Sequence, residues 1–138
     1  SVYYLHAIDL FTRFSSAVII LDKRSETVID ALNRCWCFVF GAPKKILSDN
    51  GGEFDSEVFR SNAENFNITL AGTAAESPWA NGCVERHNEV LTETFLKVRH
   101  DSPGDDNLCL QHAVFAKNCM SSHLGYSPYQ LVYGRNPN

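Results

Sequence analysis

Nothing in this 138-residue chain approaches the run of about 18–20 apolar residues that a membrane helix needs. Its opening, Ser1-Val2-Tyr3-Tyr4-Leu5, lacks the basic-then-apolar layout of a signal peptide. An initiator methionine is also missing, and a start inside an apolar run is the expectation for a piece of a longer chain. Basic charge is in short supply: 12 Lys and Arg stand against 16 Asp and Glu, a net of −4. Nucleic-acid binders usually carry the opposite sign, so any DNA handled here needs bound cations or neighbouring domains to supply much of the attraction. No CxxC spacing occurs among the five cysteines, an odd number, which argues against both a zinc site and a disulfide framework. They read as reduced, intracellular packing residues. With 44% hydrophobic and 20% charged residues the chain is globular rather than disordered, and its length suits a single domain over residues 1–138.

What is present is an ordered series of elements. Two β-prone runs, 2–10 and 16–21, flank a short polar turn and predict a hairpin. Ser25 reads as the cap of a helix carrying Val28, Leu32, Cys35, Trp36 and Val39 at helical spacing, which Gly41 and Pro43 end. Residues 44–48 predict a strand running straight into Asp49-Asn50-Gly51-Gly52. A helix over 56–66 is expected to turn Val58, Phe59 and Phe66 inward, and a strand to follow over 68–71. Ser77-Pro78 and Asn81-Gly82 mark 74–82 as a loop. Helices are then expected over 83–99 and 106–120. Ser127-Pro128 opens a short last helix that Gly134 stops. Strands that come first and then alternate with helices argue an α/β fold with a mixed sheet.

Two carboxylates stand out by position. Asp49 lies at the carboxyl end of a strand, where open α/β sheets build their ligand sites. Glu85 falls in the first turn of the long predicted helix, with Asn88, Glu89 and Thr92 on its polar face and Val84, Leu91, Phe95 and Val98 on its apolar one. Oxygen donors of this kind suit Mg²⁺. Each also has a bland reading, Asp49 as a turn residue and Glu85 as a carboxylate favoured by the helix dipole.

Thirty-five residues separate Asp49 from Glu85, and the words around them are specific: Leu47-Ser48-Asp49-Asn50-Gly51-Gly52-Glu53-Phe54 and Ser77-Pro78-Trp79-Ala80-Asn81-Gly82-Cys83-Val84-Glu85-Arg86-His87-Asn88. Here the chain resembles the integrase catalytic core of retroviruses and LTR retrotransposons, whose acidic pattern is D,D(35)E. The turn Asp9-Leu10-Phe11-Thr12-Arg13-Phe14 and the tail Gly125-Tyr126-Ser127-Pro128-Tyr129 extend the likeness over nearly the whole length, in the manner of retrotransposon members.

The resemblance implies a ribonuclease-H-like mixed sheet flanked by helices and a Mg²⁺- or Mn²⁺-dependent polynucleotidyl transferase. Such an enzyme trims the 3′ ends of element DNA and joins them to target DNA. Carried over by motif, Asp49 and Glu85 are catalytic metal ligands, and Asn50, Asn81, Arg86 and Asn88 contact DNA. Gly51 and Gly82 flank the site, where a side chain would block backbone approach. Partners implied are element ends, target DNA and a second copy of the chain in a homodimer or higher oligomer, without a membrane, in the nucleus.

The family's first acidic strand, central in the sheet, has no counterpart here, so an interruption or a forced pairing is expected between Tyr3–Ile8 and the strand leading to Asp49. Asp9 is a tempting acidic substitute, although its context matches a hairpin turn. Without the first strand, the fragment alone is expected to be inactive. Glu89 and Thr92 stand where retroviral members carry lysines. Trp79 reads as a plug onto the core in preference to a base-stacking platform, and His87 as solvated or facing a second copy. The alternative to an integrase is a non-catalytic domain derived from one, retained for dimerisation or nucleic-acid binding.

Overall fold

The computed structural model describes residues 2–49, 52–72, 77–120 and 124–138. In chain order they form β1 (Tyr3–Ile8), β2 (Ser15–Ile20), α1 (Ser25–Leu32), a π-helical turn (Asn33–Cys37), α2 (Phe38–Phe40), β3 (Lys45–Ser48), α3 (Glu57–Asn65), β4 (Thr69–Gly72), α4 (Pro78–Asp101), α5 (Asp106–Met120) and α6 (Pro128–Tyr133). Packing divides the chain into two compact units. Ser1–Leu5 with Ile20–Cys83 make the first, and His6–Ile19 with Val84–Asn138 the second.

In the first unit β3 and β4 pair in parallel, with Lys45 opposite Thr69 and Ser48 opposite Gly72. A parallel pair needs a crossover, and α3 supplies it. The Ser56 hydroxyl caps α3 by accepting from the Phe59 N–H at 3.1 Å. Phe59 is buried and meets Phe54 edge-on at 5.4 Å. Val58, expected inward, is instead 47% exposed. Capping at Ser56 sets the helix rotation, and Phe59 and Ala63, four residues apart, then take the buried stripe. Cys37, Ala63 and Ile68 form a core cluster against which Ile46, Phe66 and Leu70 pack.

Ser25 does not cap α1. The N-cap is Arg24, without a side-chain bond, while Ser25 Oγ donates to the Glu53 carbonyl at 3.3 Å. Asp22 ties down the chain entering α1 by accepting from the Thr27 hydroxyl at 2.7 Å and the Arg24 N–H at 3.0 Å. The chain leaves α2 through Gly41 at φ 89°, a conformation that favours glycine.

In the second unit the β1–β2 hairpin turns at Asp9–Phe14. The Asp9 N–H donates to the Phe14 carbonyl, and Arg13 adopts φ 64°. Leu91 and Phe95 on α4, and Leu110 and Ala113 on α5, are buried. Short α6 packs on α5, with Phe115 and Tyr129 at 6.2 Å and Tyr129 and Tyr133 at 4.6 Å. Its start is the Ser-Pro signal expected: Ser127 and Gln130 form a reciprocal capping box, and Gly134 closes the helix at φ 72°.

The ladders are two separate pairs. β1 bonds with β2 and β3 with β4, and among the described residues no strand joins them. The expected interruption of the sheet is therefore present.

Candidate functional site

Asp49 lies immediately beyond the carboxyl end of β3 and is exposed. The adjacent parallel ladder points its strand ends, with their Ser48 and Gly72, the same way. Asn50 and Gly51 lie outside the described residues, so the predicted DNA contact at Asn50 has no placement here.

Glu85 is carried on α4, and this helix begins five residues earlier than the sequence reading placed it. Ser77 accounts for the difference. Its hydroxyl accepts from the Ala80 N–H at 3.3 Å and its carbonyl accepts from the Asn81 N–H at 3.2 Å. Pro78 then fills the first helical position, where its missing N–H costs nothing. Asn81-Gly82, a turn signal in isolation, is drawn into the helix by the cap before it and the Leu91/Phe95 stripe after it.

This shift changes what Glu85 means. The first turn of α4 holds no acidic residue, and Glu85 sits about two turns inside. Macrodipole stabilisation fades within the first turn, so it does not account for a carboxylate there. Asn81, Glu85, Asn88 and Thr92 recur along α4 at helical spacing, which places them in one line on the helix. Glu85, Arg86 and Asn88 are exposed, and Asn81 is half-buried.

Asp9, the candidate acidic substitute, is engaged in the hairpin turn. Its Oδ2 accepts from the Thr12 N–H at 2.9 Å and the Thr12 hydroxyl at 2.8 Å, three residues on, within the turn itself. Trp79 is 63% exposed in the first turn of α4 and does not plug the core; Ala80 beside it is the buried residue. His87 is half-buried and close enough to His6 for its charge to act on that ring.

Asp49 and Glu85 offer carboxylate oxygens, the donor chemistry that Mg²⁺ takes, and both are accessible. Among the described residues no group of three or more His, Cys, Asp or Glu side chains gathers closely enough to hold a metal ion. All five cysteines are free, and burial pushes the Cys37 and Cys119 thiols up. No helix among the described residues is long and apolar enough to cross a membrane.

The family model described as the integrase core domain matches residues 1–78. The chain belongs to the integrase core domain family. It is 33% identical over 135 residues to the Gag-Pol polyprotein of avian reticuloendotheliosis virus, covering 98% of this chain and 12% of that polyprotein. Among solved structures it resembles the catalytic core domain of BIV integrase, with a TM-score of 0.82 at 18% identity over 94% of this chain and 84% of that one. The HTLV-2 integrase catalytic core domain in complex with magnesium gives a TM-score of 0.76 at 20% identity, covering 94% of this chain and 91% of that one. The integrase core thus has the ribonuclease-H-like mixed α/β fold of retroviral integrase catalytic cores.

The sequence reading passed over one polar group in the second unit, made by buried Ser15, Lys117 and Asn118 with half-buried His6. The signal was there to find. Ala113, Val114, Lys117 and Asn118 form the buried stripe of α5, and polar residues on an otherwise apolar stripe must be hydrogen-bonded within the core.

Proposed function

We propose that this integrase core is the catalytic part of a divalent-metal-dependent polynucleotidyl transferase. It trims the 3′ ends of element DNA with water and joins those ends to target DNA by direct attack. The observation that carries this reading is Asp49, an exposed carboxylate just past the end of a strand in a parallel ladder, the position at which open α/β sheets bind ligands. Glu85, whose place inside α4 has no helix-dipole explanation, supports it, as does membership of the integrase core family.

In this reading Asp49 and Glu85 hold Mg²⁺ or Mn²⁺. A pair of such ions, when bound, would supply positive charge to the attacking and leaving oxygens of an in-line phosphoryl displacement. Asn81 and Asn88 flank Glu85 along α4 and hydrogen-bond the DNA end. Arg86 offers a guanidinium to a phosphate, and Asn50 contacts DNA beside Asp49. The net charge of −4 means that cations and further domains supply much of the attraction for DNA. Residues 1–138 form part of one catalytic domain, working as a homodimer or higher oligomer in the nucleus.

The test is a strand-transfer assay with Mg²⁺ or Mn²⁺, using a chain extended upstream by about 20–30 residues, enough for one more strand and its turn. Glu85→Gln keeps the shape and removes the charge. Transfer by the parent and none by the variant is the expected result. A folded extended protein with no transfer would instead favour a non-catalytic, integrase-derived domain retained for dimerisation or nucleic-acid binding.

A further inference from the structure

Four polar side chains on four elements form a chain through the second unit. Lys117 on α5 is 4% exposed, and its ammonium donates to Ser15 Oγ at 2.8 Å. Ser15 on β2 is 1% exposed, and its Oγ lies 2.8 Å from Nε2 of His6 on β1. His6 in turn hydrogen-bonds the side chain of Asn88 on α4, three residues beyond Glu85.

The proton arrangement follows from the donor inventory. An ammonium has donors only, so the Ser15 oxygen accepts from Lys117. A serine oxygen can accept twice, so the Asn88 bond decides: it raises the His6 pKa, which makes the ring its donor, while Nε2 faces Ser15. The ring proton therefore sits on Nδ1, the one donor a neutral imidazole has left. Protonating both ring nitrogens would set a second cation beside buried Lys117. Burial and the Lys117 charge accordingly hold the ring neutral, with its pKa lowered to about 4.

We propose that His6 is a positioning residue: in the Nδ1–H form it anchors Asn88, and with it the turn of α4 that carries Glu85, to the β1–β2 hairpin. The inference rests on the reading of Glu85 as a working carboxylate. It assigns to a half-buried histidine, outside any ligand-like pattern, control over how the polar line of α4 is presented.

The experiment is ¹⁵N NMR of the histidine rings and the Asn88 side-chain amide in this chain. The His6 ring is expected in the Nδ1–H form at pH 7. Asn88→Ala, at an exposed position where alanine suits the helix, is expected to shift the His6 ring resonances. His6→Leu is expected to shift the Asn88 side-chain amide and the Glu85 backbone amide. His6→Gln, which can accept from Ser15 and donate to Asn88, is expected to bring both back toward the parent values. A His6 ring in the Nε2–H form, or one unmoved by Asn88→Ala, overturns the proposal. Those two readings decide it alone if His6→Leu does not fold.

A Mn²⁺ titration separates this inference from the functional reading. Equal affinity in the parent and Glu85→Gln removes the role of Glu85 and leaves the anchoring to be judged by the resonances. With the Glu85 role intact, His6→Leu should weaken Mn²⁺ binding about tenfold, as loss of a group that orients a ligand does, and His6→Gln should not. Unchanged affinity in a folded His6→Leu overturns the positioning role.

Discussion

Asn118 holds Ser15 by both of its backbone groups. The Ser15 N–H donates to Asn118 Oδ1 at 2.8 Å, and Asn118 Nδ2 donates to the Ser15 carbonyl at 2.9 Å, across 103 positions of sequence. One side chain of α5 thus treats β2 as a neighbouring strand would. Gln111, two turns earlier on the same helix, extends the arrangement by donating to the Ala17 carbonyl at 2.7 Å. An edge satisfied in this way offers fewer open groups to another strand.

Asn118→Ala leaves a buried N–H and a buried carbonyl without their partner. Each such group costs about 1–3 kcal/mol, so urea unfolding should show a loss of about 2–6 kcal/mol. A loss below about 1 kcal/mol, within the range of an ordinary net hydrogen bond, would mean that water enters and replaces the amide.

Gly82 separates stability from function. It lies within α4, and a Cβ added there meets nothing within 4 Å. Glycine in a helix costs about 0.8–1 kcal/mol relative to alanine. Gly82→Ala should therefore raise stability by about 1 kcal/mol in urea melts. If the missing side chain is reserved for close approach of a DNA end, the same variant should bind duplex ends more weakly. A variant both more stable and equally good at binding would show that the glycine serves neither purpose.

The His6 ring makes stability depend on pH. Burial first, then the Lys117 charge, lowers its pKa from 6.5 to about 4, with His87 adding to the effect and the Asn88 hydrogen bond opposing it. In the unfolded chain the ring returns toward 6.5, so between these values the unfolded state binds more protons. Stability from this source is fully present above about pH 6.5 and is lost as pH falls toward 4, by about 3 kcal/mol in all. Lys117→Met removes the second cause and should raise the His6 pKa in a proton NMR titration. A pKa unchanged by that substitution would remove Lys117 as a cause and leave burial with the His87 effect.

Trp79 offers a test of base stacking. Exposed at the start of α4, it should be replaceable by alanine at a cost within about 0.5 kcal/mol of stability, as for surface positions generally. If it stacks on a base, Trp79→Ala should weaken binding to a frayed DNA end by about 1–3 kcal/mol. Equal binding by parent and variant would remove Trp79 from the DNA surface.

Local grammar in the sequence determined much of this protein. The hairpin, the α5 helix and the capping box at Ser127 all follow from signals a few residues long, because each depends on backbone groups satisfied nearby. The motif words around Asp49 and Glu85 likewise carried the family. The same grammar misread Ser77-Pro78 only because a strong turn signal, Asn81-Gly82, followed it. The apolar stripe farther along the helix decided between the two, and its worth depends on what it packs against.

Tertiary structure alone decided the rest. Val58 and Trp79 are apolar by composition yet exposed, while Ser15 and Lys117 are polar yet buried. Ser25 lost its capping role to the Glu53 carbonyl, 28 residues away. For Ser15, Lys117 and Ser25 the deciding partner is distant in sequence. Burial of a polar group is favourable only where such a partner completes its hydrogen bonds, and no window along the chain contains both.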